Sequence, residues 1–391
     1  MFKKSIAFIV ITILAVTGSA FPVSAAFAPE KPAPALTINA KSYILMEQAT
    51  GQVLAENNAD AKLPMANVAK VMSLLLICNA VDEGKLQLDE MIPVSEEAAS
   101  MGGTQAFLDA NEEYTASDLL KSVIIASAND ACVALGERLY GSEETFVQAM
   151  NEKAQELGMA NSCFANCTGL FDEDQYSSAR DIAICSRELC RCQSFFKWGS
   201  VWMDTLEHKG GRITDLTNPN KLVKTYNGCD GLRTGSANDA QYCISATAKR
   251  GQMRLIAVVL GAPDSNARFS GAQKLMDYGF SAYNLISVAK KGDVMKKDVP
   301  VNGGNIPKVN IIAGADIGAL VERGFEGKVE KIINLPESVE APLIKGQAVG
   351  EVILKLKGEE ILRTNLVVDR DVRISDFFDS FLRILFRWIY G

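Results

Sequence analysis

The sequence predicts an α+β protein: helices grouped around an antiparallel sheet, then a small all-β domain and a C-terminal amphipathic helix. Three observations carry this. Helix and strand patterns interleave up to about residue 285, and short β-branched runs separated by Gly and Pro occupy 286–370. An aromatic, one-sided stretch then closes the chain. With 391 residues, 48% of them hydrophobic, the chain is long enough to fill the cores of two domains.

Taken in order, "MFKKSIAFIVITILAVTGSAFPVSA" has two lysines, an apolar run and a small-residue end. Residues 1–25 are therefore expected to be an export signal, and the mature protein to work in the cell envelope, outside the cytoplasmic membrane. "KSYILMEQATGQVLAENN" reads as a hairpin turning at Thr50-Gly51. "LPMANVAKVMSLLLI" reads as a buried helix entered through Pro64 and closed near Gly84. It carries Lys70 inside the apolar run, with Asn67 three places earlier on the same face.

"TASDLLKSVIIASANDACVALGERLYG" gives two helices broken at "SAND", and Ser142 and Ser178 are N-caps for the helices that follow them. "GLRTG" leads into "QYCISATAKRGQMRLIAVVLGA", two strands turning at Arg250-Gly251, and "ARFSGAQKLMDYGFSAYN" is the helix that ends the 26–285 domain. The 286–370 runs, such as "KVNIIAG" and "GEVILKLKG", hold no cluster of catalytic residue types, which suits a spacer or docking domain. In 374–391, Phe377, Phe378, Phe381, Leu382, Leu385, Trp388 and Ile389 gather opposite Asp379, Arg383 and Arg387. That helix is too short and too charged to span a bilayer but suits its surface.

Composition removes several classes. A net charge of −7 argues against a nucleic-acid partner. The nine cysteines are odd in number and lack paired C-x-x-C spacing, so most read as small buried hydrophobes, and neither a metal site nor a cofactor is expected. His208 is the only histidine, which argues against a Ser-His-Asp triad. Three short stretches remain. A lysine held among apolar groups has a lowered pKa and can act as a base, as for Lys70. "SAND" offers the hydroxyl of Ser127 and the amide of Asn129 to a cleft. "RTG" places Arg233, Thr234 and Gly235 by a strand whose backbone can run close beside an extended ligand.

In this order and at these intervals the three stretches resemble the S-x-x-K, S-x-N and K-T-G boxes of the serine D-alanyl-D-alanine carboxypeptidases. These are the low-molecular-mass penicillin-binding proteins that trim peptidoglycan stem peptides. The likeness extends over nearly the whole mature chain, through "AASMGGTQAFL", "NEKAQELGM", "NCTGL", "NPNKLV" and "MRLIAVVLGAPDSNARF". It implies a penicillin-binding, serine β-lactamase-like fold for the 26–285 domain. It also implies an acyl-enzyme route in which a serine attacks the amide between two D-alanines and the lysine takes its proton.

Carried over residue by residue, Ser127 and Asn129 relay protons and hold the substrate amide, and Arg233, Thr234 and Gly235 receive the terminal carboxylate. The backbone N–H groups of residue 67 and Ser236 form an oxyanion hole. Arg268, in "NARF", is similar to an arginine that helps hold the carboxylate. The implied partners are the D-Ala-D-Ala end of a stem peptide and, through the tail, the membrane surface.

Two positions depart from the pattern. The nucleophile's place is held by Asn67, whose amide nitrogen lone pair is delocalised, and Arg233 replaces the usual lysine. Ser73 lies too far along the helix to substitute. The expectation is a peptidoglycan-binding pseudoenzyme with hydrolysis impaired or lost. The alternatives are an active carboxypeptidase and, against the β domain and tail helix, a β-lactamase.

Overall fold

The computed structural model describes residues 36–377, so the expected export signal and residues 378–391 of the expected tail helix lie outside the described residues. A correction applies at the start of that helix. Ile374 forms a β-bridge with Gly304, and the Ser375 N–H donates to the Gly303 carbonyl, so the backbone is still paired where a helical turn was expected. Among the described residues no helix is long and apolar enough to cross a membrane.

The chain divides into two compact units, one running up to Lys290 and including Asp316–Val329. Its hairpin is β1 (Ser42–Glu47) and β2 (Val53–Asn57). A 3₁₀ turn at Ala66–Ala69 leads into α1 (Lys70–Asp82). Residues Lys70 to Cys78 are all buried, as expected of a helix with no polar face. It packs against the helices around it as the centre of the core, where each large aliphatic side chain contributes roughly 1.5–3 kcal/mol. The short strands β3 (Met91–Pro93) and β4 (Glu113–Thr115) pair across α2 (Glu96–Ala99).

Then come α3 (Ala116–Ala126), α4 (Asn129–Tyr140), α5 (Glu143–Glu156) and α6 (Ala179–Leu189). The capping serines behave as their chemistry predicts: Ser142 Oγ accepts from the Thr145 N–H at 3.2 Å and Ser178 Oγ from the Asp181 N–H at 3.1 Å. The hairpin β5 (Met203–Glu207) and β6 (Ile213–Thr217) and the short α7 (Leu222–Thr225) precede the main strands. These are β7 (Cys229–Ala237), β8 (Gln241–Arg250) and β9 (Met253–Ala262), and α8 (Ser265–Ala282) closes the layer. The antiparallel sheet runs β2-β1-β9-β8-β7. The central strand, β9, is buried along its whole length, whereas β7 lies at an edge.

β10 (Tyr283–Ala289) still belongs to this unit, paired with β13 (Ile317–Glu322). The segment 316–329 thus returns from within the 286–370 stretch to the first unit, because its strand finds its partner there. The second unit, Lys291–Ala315 with Glu330 onward, is all-β. It contains β11 (Val294–Asn302), β12 (Lys308–Ala313), β14 (Val329–Asn334), β15 (Val339–Glu340), β16 (Ala348–Leu356) and β17 (Glu359–Val368), in the order β14-β16-β17-β12-β11-β15. All nine cysteines are free, and every one except Cys163 is buried.

Candidate active site

The turn that presents Asn67 is held in a strained shape. Ala66 has φ +46°, a left-handed conformation that a residue with a Cβ rarely adopts. Two glycines from distant parts of the chain grip it. A Cβ on Gly235 would lie 2.8 Å from both the Asn67 nitrogen and the Met65 oxygen. A Cβ on Gly169, whose φ is +81°, would lie 2.3 Å from the Ala66 oxygen. No side chain fits at either place.

Lys70 opens α1 and is fully enclosed. Its Nζ donates to the Thr168 carbonyl at 2.5 Å and to Asn67 Oδ1 at 3.4 Å. Burial lowers its pKa from 10.5 to about 8; the thiols of Cys132 and Cys167 oppose the shift and the Arg233 cation adds to it. Ser73 faces the core as expected, its hydroxyl donating to the Cys167 carbonyl at 2.6 Å. His208 bonds Tyr114 and Thr214, each at 2.8 Å, and so ties the β5–β6 hairpin to β4.

The "SAND" stretch forms the break between α3 and α4. Ser127 caps α3 in a left-handed conformation (φ +65°, ψ +34°), and α4 starts at Asn129. Asn129 is tied to the preceding loop: its backbone N–H donates to Thr104 and its Nδ2 to Gly102, both at 2.7 Å. Asp130 fixes the same loop by accepting from the N–H groups of Ala106 and Leu108. Ser127 Oγ and Asn129 Oδ1 are buried with no hydrogen-bond partner. Buried polar atoms left open in this way are uncommon and suit a ligand that completes them.

The third box lies on the sheet's edge strand, β7. Thr234 is buried there and Ser236 exposed. Both arginines expected to receive the carboxylate bond main-chain oxygens. Arg233 is 1% exposed and donates to three carbonyls, those of Leu232 at 2.9 Å, Val123 at 2.6 Å and Ile124. Val123 and Ile124 sit in the last turn of α3, at the negative end of the helix, where a cation is favoured; the Val123 carbonyl also accepts from the Ser127 N–H at 3.1 Å. The guanidinium thus bonds main-chain oxygens of β7 and α3. Arg268 likewise donates through Nη1 to the Gly235 carbonyl at 2.9 Å and the Cys243 carbonyl at 3.3 Å, which fastens α8 to the sheet.

The structure thus brings Asn67, Lys70 and Gly235 together directly and sets Ser127 and Asn129 on the adjoining break. It also reveals residues that the three boxes omit. Thr168 supplies the acceptor for Lys70, Gly169 grips the turn, and Asp130 clamps the loop under Asn129. The "NCTGL" stretch was the available signal for the first two. The carboxylate next to Asn129 in "SAND" was the signal for the third.

A profile of the D-alanyl-D-alanine carboxypeptidase family matches residues 26–264, and one of the penicillin-binding protein 5 C-terminal domain matches 283–373. D-alanyl-D-alanine carboxypeptidase DacF of Bacillus subtilis is 39% identical over 354 residues, covering 90% of this chain and 91% of its own. DacC of Escherichia coli is 35% identical, over 90% and 89% of the two chains. The crystal structure of penicillin-binding protein 5 from Haemophilus influenzae superposes with a TM-score of 0.73 at 32% identity, over 86% of this chain and 98% of that one.

Proposed function

Because this chain belongs to the D-alanyl-D-alanine carboxypeptidase family, we propose that it binds the D-Ala-D-Ala ends of peptidoglycan stem peptides with its hydrolytic step impaired or lost. One observation carries the reading. The side chain beside the buried Lys70, on the turn gripped by Gly169 and Gly235, is the amide of Asn67. Lys70 keeps a lowered pKa and can accept a proton, but the carboxamide has no hydroxyl to give one up and become a nucleophile.

The rest of the cleft supports binding. β7 offers an edge to an extended peptide, the N–H groups of residue 67 and Ser236 provide for an oxyanion, and the open atoms of Ser127 and Asn129 provide for the peptide's amide. The test is to expose the purified chain to fluorescent penicillin. No covalent band is expected at concentrations that label an active relative, and a stable adduct would overturn the reading.

The pH dependence follows from Lys70. A general base must be neutral, and its pKa of about 8 lies below the ordinary 10.5, so the competent fraction grows as pH rises through 8. In an Asn67→Ser variant, penicillin acylation should climb about tenfold per pH unit below this point and level off above about pH 9. A flat profile from pH 6 to 9 would remove Lys70 from the role of base.

Export and membrane-surface attachment complete the reading, supported by the charged-then-apolar N-terminal stretch and the one-sided aromatic tail. Deleting residues 374–391 should move the protein from the membrane fraction to the soluble one. Unchanged sedimentation with membranes would count against the tail as the anchor.

A further inference from the structure

The lone histidine sits at the turn of the β5–β6 hairpin, 4% exposed, in a polar cluster outside the three boxes. Its Nε2 lies 2.8 Å from Thr214 Oγ1. Its Nδ1 lies 2.8 Å from the Tyr114 hydroxyl and 3.0 Å from Arg212 Nη2. A guanidinium only donates, so Nδ1 must be the acceptor. The ring in this arrangement is therefore neutral, with its proton on Nε2 toward Thr214.

The same guanidinium fastens the loop that precedes β4. Arg212 Nη2 donates to the Phe107 carbonyl at 2.8 Å and pairs with the Asp109 carboxylate. Phe107 has φ +59°, a left-handed conformation that persists only where its surroundings enforce it. Asp130 accepts from the Ala106 and Leu108 N–H groups, while Arg212 binds the carbonyl between them, so the Phe107–Leu108 peptide group is held at both its N–H and its C=O. This loop also accepts the Asn129 N–H at Thr104 and its Nδ2 at Gly102. The second box thus leans on a loop whose far end is tied to Arg212 and, through it, to the imidazole.

We propose that His208 and Arg212 are positioning residues for the second box: the neutral ring accepts from Arg212 and so holds the loop that fixes Asn129, and protonation of the ring releases it. An imidazolium has no lone pair for Arg212, and two cations would face each other at 3.0 Å. Asp109 Oδ2, 3.8 Å from Nδ1, would be drawn to the new charge and away from the guanidinium. The charged groups around the ring are Arg212 on the hairpin, Asp109 and Glu112 before β4, and Asp130 on α4, with Tyr114 of β4 as the other titratable neighbour. Burial and the Arg212 cation hold the His208 pKa below its ordinary 6.5, against the pull of these carboxylates. The unfolded chain takes up the proton first, so the stabilisation is full above pH 6.5 and is lost as pH falls below it.

The test follows amide hydrogen exchange in the intact, untagged chain at about pH 7.5 and about pH 5, corrected for the intrinsic effect of pH on exchange. The N–H groups of Ala106, Leu108 and Asn129 should exchange about tenfold faster at the lower pH. His208→Asn, whose carboxamide oxygen accepts where Nδ1 did but does not titrate, should keep slow exchange at both, and Arg212→Ala should exchange fast at both. The single imidazole resonance of the parent should titrate in step with the loop. A loop that stays protected at about pH 5, that loosens equally in His208→Asn, or that loosens at a pH where the imidazole does not titrate would overturn the proposal. For the cleft itself, resting on the function proposed above, affinity for diacetyl-L-lysyl-D-alanyl-D-alanine should fall about threefold from the higher to the lower pH in the parent and stay level in His208→Asn. Unchanged affinity while the loop loosens would remove the two residues from positioning the box. If the peptide binds at neither pH while the loop responds, the stem-peptide reading falls and the hold of His208 and Arg212 on Asn129 stands.

Discussion

Replacing Asn67 with serine is expected to switch on covalent labelling by fluorescent penicillin. The gain over the parent chain should be on the order of 10³-fold or more, given the losses seen when a nucleophile is removed from such a unit. The physical reason lies in what already surrounds the position. Lys70 Nζ lies within 3.4 Å of the Asn67 side chain, has its pKa lowered to about 8, and is oriented by the Thr168 carbonyl. The grip of Gly169 and Gly235 acts on backbone atoms and does not depend on which side chain residue 67 carries. A hydroxyl placed there supplies the missing oxygen and little else. Release of D-alanine from diacetyl-L-lysyl-D-alanyl-D-alanine should appear in the same variant, and Asn67→Ala should stay silent as the control. A well-folded Asn67→Ser protein that neither labels nor releases D-alanine would show that the cleft has lost more than its nucleophile.

Arg233→Ala is expected to be the most damaging of the box substitutions for stability, at about 2–4 kcal/mol in urea denaturation. Hydrogen bonds from a charged donor to the Val123 and Ile124 carbonyls would be lost, leaving Val123 only its bond from the Ser127 N–H, and a large enclosed side chain would leave a void. The expected cost is smaller for Arg233→Lys, which retains a cation near the same carbonyls but not the planar fork that reaches both. Because Arg233 joins β7 to the end of α3, its loss should also loosen Ser127 relative to Gly235. In an Asn67→Ser background this should lower the acylation rate. An Arg233→Ala protein as stable as its parent would mean that the guanidinium contributes no net stabilisation in its enclosed site.

Much of the fold was legible because local chemistry and tertiary structure agree. Ser142 and Ser178 cap their helices, the Thr50-Gly51 and Arg250-Gly251 turns join paired strands, and "SAND" breaks one helix and starts another. The fates of the two arginines were not legible. Arg233 and Arg268 are cations in the right stretches, but periodicity does not say whether a guanidinium finds a ligand or a main-chain carbonyl. Here both guanidinium groups bond helix or strand carbonyls. The return of 316–329 was hidden for a related reason: its short β-branched run reads alike whether it pairs within the β domain or with β10. Gly169 carried no signal by itself, since its necessity comes from a backbone about a hundred residues away in sequence.

The wedging of the Ala66–Asn67 turn between Gly169 and Gly235 bears on how the protein folds. Three segments remote along the chain must dock before that geometry exists, so the cleft should be among the last features to mature during refolding and among the first to loosen under mild denaturant. In a variant given back its hydroxyl, antibiotic reactivity would thus report completed tertiary assembly, and it should lag behind the recovery of helical circular dichroism.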